Sequence, residues 1–406
     1  MGHNHDRLVK SVASRRDFLA AASSLPSLAG FAPGKTARRP LLLVHYMPWF
    51  QAKPLAKSWG WHWTMNKANP EAVTDGKPAI ASHYHPAIGP YDSSDPAVIE
   101  CHLLQMRLAG IDGLVIDWYG LSDFRDYPVL HKATSEIVRA CPRFGLRFAV
   151  CYEDQTIPAL ETAGKLTPKT RLAHASKELS WLAENWFGQK AYLRSANAPL
   201  FLSFGQSGLT DTEWAACLAN LSVPVAYFSE HRTRPCARGA FDWPQPKTGL
   251  QAQATFLKGV PKGSAHIPVA FPRFEDYYFQ AGIGPSHGNI PDHAGKTFRD
   301  TLSSALESKS EFVQVATWND WGEGTQIEPS KEWGYRDLEV LLSLKKSSQP
   351  DFPPVPADLR LPEKLLLARR SPPEKVDLSK INEASTYLAQ LDLPRARSLL
   401  NALEVK

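Results

Sequence analysis

The densest polar cluster of the chain lies at residues 317–329, directly after an apolar run. Two of its acids, Asp320 and Glu323, are separated only by Trp321 and Gly322. Two carboxyl groups whose surroundings push their pKa values apart are the usual machinery for cleaving a glycosidic bond, because one protonates the leaving oxygen while the other acts as base or nucleophile. The same spacing also fits a solvated loop whose acids cap a following helix, and this alternative stays open.

Acids and aromatic residues also stand at the ends of other apolar runs. Asn319 can hold a sugar hydroxyl, and tryptophan rings stack on flat sugar faces or desolvate a carboxyl group. With Asp320 and Glu323 as the catalytic candidates, the substrate-binding candidates are Tyr46, Trp118, Tyr119, Tyr152, Glu153, Glu230, His231, Trp318, Asn319 and Trp321.

The aromatic content is high, with 12 Trp, 12 Tyr and 18 Phe. Several of the tryptophans lie in polar surroundings rich in Gly and Pro, where a ring is more useful as a stacking surface than as core. We therefore expect a sugar-stacking cleft. Its seven tryptophans would be Trp49, Trp59, Trp61, Trp63, Trp118, Trp318 and Trp321.

Short apolar runs alternate with segments of helical patterning. Continuous hydrophobicity is typical of strands that are buried on both faces of a parallel sheet. Strands are predicted at 41–46, 113–118, 146–152, 199–204, 223–228, 267–271 and 312–317, with an eighth near 250–256. Helices are predicted at 95–109, 130–141, 169–187, 211–218 and 297–309.

This alternation predicts an α/β fold, a (β/α)8 barrel, with a doubly wound sheet as the alternative. No G-x-G-x-x-G motif follows the first strand, which disfavours a dinucleotide fold. Parallel barrels assemble their active sites from the loops at the C-terminal ends of their strands, which is where the candidate residues stand.

Three regions are expected along the chain. Residues 1–32 form a targeting segment, residues 39–345 the barrel, and residues 346–406 a Pro-rich strap (349–356) with two short helices at 377–391 and 394–403. A long loop, 49–95, follows the first strand, and loops of that length are usually functional or disordered. Its tryptophans argue against disorder.

Composition excludes several classes of protein. The 43% of hydrophobic residues supply a sizeable core. The basic residues behind the net charge of +5 are scattered, so no nucleic-acid partner is expected. The chain has no run of 18 consecutive apolar residues, so no membrane span is predicted. The five cysteines form no CxxC pair and the histidines show no ligand spacing beyond His83-Tyr84-His85, so we expect no metal and no cofactor.

Four segments carry a family resemblance. The chain resembles glycoside hydrolase family 99 and the related 71/99-like proteins over about residues 41–336. The matching segments are YMPWF at 46–50, GPYDSSDPAVIECHLLQMRLAGIDGLVIDWY at 89–119, Tyr152-Glu153, and WNDWGEGTQIEP at 318–329. The tail at 357–362 also resembles the 71/99-like group.

The resemblance implies a barrel that performs retaining, endo-acting cleavage of α-mannosides through a 1,2-anhydro sugar. Glu323 then matches the general acid/base, and Asp320 matches the residue that assists the sugar 2-hydroxyl. Tyr46, Trp118 and Glu153 fall on positions of the sugar-binding pocket. An oligo- or polysaccharide is thus the expected substrate.

The chain departs from the family at one place. Family 99 usually has Asn-Glu-Trp-His-Glu, whereas this chain has Asn-Asp-Trp-Gly-Glu at 319–323. Because the shorter acid changes the reach of the base, three alternatives stay open beside the mannosidase. They are an α-1,3-glucan hydrolase, a carbohydrate-binding barrel without activity, and an enzyme of polysaccharide assembly.

The N-terminus matches a twin-arginine export signal. Arg15 and Arg16 precede a 15-residue apolar stretch, Phe18 to Ala32, which is too short to span a membrane. Removal of residues 1–32 takes away four basic and two acidic residues and leaves a net charge of +3. We therefore expect a periplasmic or secreted protein.

Substitution of both arginines by lysine tests this expectation. We expect Arg15→Lys/Arg16→Lys precursor to accumulate in the cytoplasm, because the pathway reads the arginine pair. Cell fractionation and immunoblotting measure this, with Arg39→Lys as a control outside the signal. Normal export of the double variant would contradict the assignment.

Overall fold

Nine parallel strands form a nearly closed barrel at the centre of the structure. The structure is a computed structural model and describes residues 39–261, 264–372 and 377–402, so the expected targeting segment 1–32 lies outside the described residues. The barrel strands are β1 (Leu41–Tyr46), β2 (Gly113–Trp118), β3 (Arg147–Glu153), β4 (Ala198–Phe204), β5 (Ala226–Glu230), β6 (Gly239–Phe241), β7 (Ala265–Ile267), β8 (Val269–Ala270) and β9 (Phe312–Val315).

The barrel is completed by a strand in two halves. β7 pairs with β6 and β8 pairs with β9, although only Pro268 separates them in the chain. Proline has no N–H to donate, so the hydrogen-bond ladder is interrupted at this residue. The Pro268 carbonyl still accepts the Gln314 N–H at 3.0 Å. The two halves thus act as one strand, and the predicted (β/α)8 barrel is confirmed.

The strands are apolar because they are buried on both faces. Every residue of β2 is buried, and in β1 and β3 only the first residue is partly exposed. Helices cover the outer face of such a sheet, while side chains fill the inside of the barrel. This explains why the strands read as continuous apolar runs in the sequence.

Helices separate and cover the strands. Beside the α-helices the chain has 3₁₀ turns at Cys141–Phe144 and Pro356–Arg360. The α-helices are α1 (Trp61–Thr64), α2 (Pro96–Ala109), α3 (Tyr127–Ala140), α4 (Thr156–Thr162), α5 (Arg171–Asn185), α6 (Asp211–Ala219), α7 (Leu250–Gly259), α8 (Tyr278–Ala281), α9 (Lys296–Glu307), α10 (Arg336–Ser348), α11 (Leu361–Arg370), α12 (Leu378–Gln390) and α13 (Leu393–Ala402).

The start of α2 illustrates how local sequence sets a helix. The Asp95 side chain accepts a hydrogen bond from the Ala97 N–H at 2.9 Å, and Pro96 occupies the first helical position. Proline is favoured there because the first N–H groups of a helix have no intrahelical partner. The helix ends at Gly110, in the left-handed conformation. Asp95 and Pro96 are the start signals from which the sequence predicts a helix at 95–109.

The prediction of an eighth strand near 250–256 is wrong, because these residues belong to α7. The missing strand is β6, which has only three residues and therefore gives no recognisable pattern. At Gly239 a Cβ atom would lie 2.0 Å from the Ala265 carbonyl oxygen. The absence of a side chain thus lets β6 lie against β7.

The C-terminal helices pack against the barrel through α2. Glu100 of α2 is buried and accepts hydrogen bonds from Arg369 Nη2 of α11 at 2.9 Å and from Ser385 Oγ of α12 at 2.6 Å. The carboxylate thereby ties two helices of the tail to one helix of the barrel. The sequence predicts α12 and α13 but not α11.

The loop after β1 is ordered around one buried tryptophan. Trp63 of α1 has no exposed surface, and its indole N–H donates to the Tyr91 carbonyl at 2.7 Å. Short antiparallel hairpins lie outside the barrel, and their strands are Val73–Thr74 with Lys77–Pro78, Arg194–Ser195 against β4, and Phe274–Glu275 with Asn289–Ile290. Over the described ranges, every helix is too short or too polar to cross a bilayer.

Candidate active site

A cavity of about 710 Å³ lies at the C-terminal ends of the barrel strands. Its wall combines carboxyl groups, aromatic rings and histidines, a composition suited to a ligand with many hydroxyl groups and apolar faces. The carboxyl groups are Asp117, Glu153, Glu230, Asp320 and Glu323; the rings include Trp49, Tyr119, Phe204, Trp243, Phe274 and Tyr278; and the histidines are His45, His231 and His287.

The loop after β9 brings Asp320 and Glu323 to this cavity. The Asp320 N–H donates to Thr317 Oγ1 at 2.7 Å, and the Glu323 N–H donates to Asp320 Oδ1 at 3.0 Å. Gly324 closes the turn with φ 69°, where a Cβ atom would lie 2.8 Å from the Glu275 carbonyl oxygen. The turn therefore fixes both acids on the same wall.

Burial raises the pKa of both carboxyl groups. Asp320 is 4% exposed, and desolvation raises its pKa to about 7, although the backbone N–H groups of Glu323 and Gly322 oppose this. Burial is also the main cause of the raised pKa of Glu323, and the charge of Asp320 raises this pKa further. A pair in this state can hold one proton near neutral pH.

Tyr278 is a candidate that the sequence prediction missed. Its hydroxyl donates to Glu323 Oε1 at 3.3 Å from α8, which belongs to a segment between β8 and β9. This bond opposes the rise in the pKa of Glu323. No motif surrounds Tyr278, so only the fold reveals its position.

Two of the predicted binding residues form a second polar group. Glu230 Oε2 accepts the Gly205 N–H at 3.0 Å, and its Oε1 lies 3.4 Å from His231 Nε2. His231 Nδ1 lies 3.5 Å from Asp242 Oδ1. Although burial lowers the pKa of His231, the hydrogen bond to Asp242 and the charges of both acids raise it above its usual value. His231 adopts φ 55°, a left-handed conformation that is unusual outside glycine.

Glu153 and Tyr119, which are both predicted binding residues, also line the cavity. Glu153 Oε1 accepts the Gln155 N–H at 3.1 Å. Its pKa is raised by burial and then by the charge of Asp117. Six of the predicted residues therefore share this cavity: Tyr119, Glu153, Glu230, His231, Asp320 and Glu323.

The other six predicted residues lie behind the cavity wall. None has more than 1% of its surface exposed, so their faces are not available to a sugar. They are Tyr46, Trp118, Tyr152, Trp318, Asn319 and Trp321.

The expected cleft of seven tryptophans is not observed. Among them only Trp49 lines the cavity, and a tryptophan outside the predicted set, Trp243, lines it too. Trp63, Trp118, Trp318 and Trp321 are fully buried, Trp59 is partly buried, and Trp61 is 39% exposed. Large rings gain most from leaving water, so those at strand ends fill the layer beneath the site.

Several of the buried residues hold the loop after β9 in place through Glu328. Its carboxylate accepts hydrogen bonds from the Tyr91 hydroxyl at 2.7 Å and from Trp321 Nε1 at 3.0 Å, and it lies 3.0 Å from His102 Nε2. The His102 ring in turn contacts the Tyr46 hydroxyl at 3.0 Å. We call these five residues the Glu328 network.

Asn319 joins the network to β1. Its side-chain amide donates to the Tyr91 hydroxyl at 3.1 Å and to the Met47 carbonyl at 2.9 Å, while its oxygen accepts the Met47 N–H at 2.8 Å. The backbone just before Asp320 is therefore bonded to the end of β1. Asn319 and Tyr46 position the loop from beneath and do not face the cavity.

Replacement of Glu328 by glutamine tests the network. We expect Glu328→Gln to lower the free energy of unfolding by about 1–3 kcal/mol, because an amide cannot accept from every donor and leaves a buried partner unpaired. Denaturant unfolding measures the change. Glu184→Gln, on the exposed surface of α5, is the matched control. Equal stability of the two variants would contradict the role given to Glu328.

Comparison with known families gives two matches along the chain. A family model described as Glycosyl hydrolase family 99 matches residues 43–163, and one described as Glycosyltransferase WbsX matches residues 285–341. The first region contains most of β1 together with β2 and β3, and the second contains β9 with Asp320 and Glu323.

Curated relatives point the same way. The chain is 23% identical over 302 residues to a glycoprotein endo-alpha-1,2-mannosidase-like protein of Danio rerio, covering 66% of this chain and 64% of the relative. It is 24% identical over 273 residues to a protein of the same description in Homo sapiens, covering 61% and 58%. The chain thus spans less than two thirds of the length of these relatives.

A solved structure shares the fold. The GH99 endo-alpha-mannosidase from Bacteroides thetaiotaomicron aligns with a TM-score of 0.57 at 18% identity, covering 77% of this chain and 97% of that chain. The motifs, the family match, the curated relatives and the common barrel together confirm that this chain resembles glycoside hydrolase family 99.

Proposed function

We propose that this protein is a glycoside hydrolase that cleaves internal α-mannosidic linkages, with residues 39–345 as its catalytic barrel. The observation that carries the proposal is the placement of Asp320 and Glu323 in one cavity, on one loop, both with a raised pKa. The relatives described as endo-alpha-1,2-mannosidase-like proteins support the choice of sugar.

The reaction would proceed in two proton-balanced steps. In the first, Glu323 protonates the glycosidic oxygen and Asp320 takes the proton of the sugar 2-hydroxyl. The 2-oxygen then displaces the leaving group at C1 and forms a 1,2-anhydro sugar. In the second, Glu323 takes a proton from water, the water oxygen opens the anhydro ring at C1, and Asp320 returns its proton to the 2-oxygen. The two inversions at C1 give net retention.

The local packing suits the unusual Asp-Trp-Gly-Glu sequence. At Gly322 a Cβ atom would lie 2.8 Å from Met65 Cε, so this methionine, which follows α1, occupies the space that a larger residue would need. The loop after β1 thereby packs against the turn at Gly322. An α-1,3-glucan remains the alternative substrate, since the shorter Asp320 changes the depth at which a sugar must bind.

Glycosyl transfer is the second candidate function. It is favoured by the match of residues 285–341 to a family described as a glycosyltransferase, since that segment contains both Asp320 and Glu323. The same pair would serve if a sugar hydroxyl replaced water in the second step. Incubation with α-mannan, α-1,3-glucan and sulfated or acetylated glycans, with and without oligosaccharide acceptors, separates the candidates by reducing-end release and by product length.

Export remains part of the proposal. Its support is the Arg15-Arg16 pair with the apolar stretch behind it. A protein exported in this way would meet polysaccharide outside the cytoplasm, which agrees with hydrolysis and disfavours a nucleotide-sugar donor.

The variant Glu323→Gln tests the catalytic assignment. We expect kcat to fall at least about a hundredfold, because the amide cannot protonate the leaving oxygen. Reducing-end release measures activity, and Glu184→Gln is the control on an exposed helix. Calorimetry should find glycan binding unchanged. Full activity of Glu323→Gln would contradict the proposal, and binding without any wild-type turnover would favour the carbohydrate-binding barrel.

The pH profile tests the protonation states. Asp320 must be ionised to act as base, and burial raises its pKa to about 7, so kcat/KM should rise as the pH increases through about 7. Glu323 must be protonated, so kcat/KM should fall again at higher pH, where this group ionises. Asp117, Tyr278, Asp276 and Glu230 are titratable neighbours of the pair.

Initial rates across the pH range in chelator-treated buffer measure this profile. An acidic limb with its midpoint near 4, the usual value of an exposed carboxyl group, would contradict the assignment.

A further inference from the structure

Three side chains with different donor atoms meet on the floor of the cavity. His45 of β1, Asp117 of β2 and Cys151 of β3 each contribute one ligand atom, and these atoms lie within 4.8 Å of one another. The side chains are 1%, 3% and 0% exposed. None of the three was a site candidate in the sequence, since they are far apart in the chain.

The strand register brings the three residues together. Asp117 pairs directly with Cys151, and His45 pairs with Val115, two residues before Asp117. Residues two apart on a strand face the same side, so all three side chains point to the same face of the sheet. Because His45 and Asp117 line the cavity, that face is the inside of the barrel. Branched apolar residues normally fill this layer.

Two of the three side chains have atoms without partners. Over the described ranges Asp117 Oδ1 and His45 Nδ1 are buried and accept or donate no hydrogen bond. A buried polar atom left unpaired costs about 1–3 kcal/mol, and a charged one costs more. A ligand that binds both residues would offset this cost.

The donor set selects the kind of ligand. An imidazole nitrogen, a carboxylate oxygen and a thiolate sulfur together suit zinc and similar divalent transition metals, whereas calcium and magnesium take oxygen ligands. We propose that His45, Asp117 and Cys151 bind one divalent transition-metal ion of the zinc class, with a fourth coordination position open to the cavity.

The geometry needs only small movements to accept the ion. Bond lengths of about 2.0–2.3 Å place the ligands of a tetrahedral zinc about 3.3–3.8 Å apart, which side-chain rotation can reach from separations within 4.8 Å. Binding converts the Cys151 thiol to a thiolate, and its proton passes to the buffer.

Titration of the metal-free protein with Co²⁺ tests the site. We expect saturation at one equivalent per chain, with a near-ultraviolet thiolate-to-cobalt absorption band that one equivalent of Zn²⁺ removes. Cys151→Ser should abolish the band and weaken Co²⁺ binding at least about tenfold. Cys236→Ser, at a partly exposed cysteine outside the cavity, should leave both unchanged.

Asp117→Asn is the second variant, in case serine at position 151 disturbs folding, and circular dichroism monitors all variants. Asp117→Asn should weaken Co²⁺ binding at least about tenfold, while the thiolate-to-cobalt band persists at saturation. Absence of saturable binding to wild type, or equal binding by folded Cys151→Ser or Asp117→Asn, would overturn the proposal. The assay needs no glycan, so its failure is distinct from a failure of the proposed hydrolase activity.

Discussion

The site depends on one buried carboxylate that never faces it. Glu328 accepts hydrogen bonds from Tyr91 of the loop after β1 and from Trp321 of the loop after β9. It also contacts His102 of α2. Three segments that are distant in the chain thus share a single acceptor. Removing a buried acceptor leaves several donors unpaired at once, so the position of Asp320 is coupled to the correct packing of α2 and of the long loop after β1. The stability of this region and the geometry of the two acids therefore depend on the same contacts.

The sequence predicted the barrel because most of its strands are buried on both faces and several of its helices have clear start signals. β1 and β2 have the predicted bounds, and Asp95 and Pro96 mark the beginning of α2. The failures are of a different kind. β6 has three residues and gives no pattern long enough to recognise, and the single strand predicted at 267–271 is instead two short strands on either side of Pro268. The apolar run at 250–256 predicts a strand but belongs to α7, a helix in contact with α9.

For the site, the sequence identified the acids but not what surrounds them. Carboxyl groups at strand ends are predictable because a parallel barrel gathers those ends on one face. The positions of the aromatic rings are not predictable in this way, because periodicity does not tell whether a tryptophan at a strand end points into the cavity or lies beneath it. Trp318 and Trp321 lie beneath, whereas Trp243 lines the wall. The position of Tyr278 depends wholly on tertiary structure, since its short helix lies in the connection between two hairpin strands and belongs to no motif.

The strand divided at Pro268 gives the barrel a seam. On one side of the cavity, the ladders from β5 through β1 to β9 run without interruption and carry Asp117, Glu153 and Glu230 at their ends. On the other side, β6 and β9 are joined by three pairs to β7 and two pairs to β8, together with a hydrogen bond from Gln314 Nε2 of β9 to the Asp242 carbonyl at 2.7 Å. On this side of the cavity the positions of Glu230 and of the acids after β9 are therefore fixed relative to each other through Pro268 and Gln314, in place of a continuous ladder.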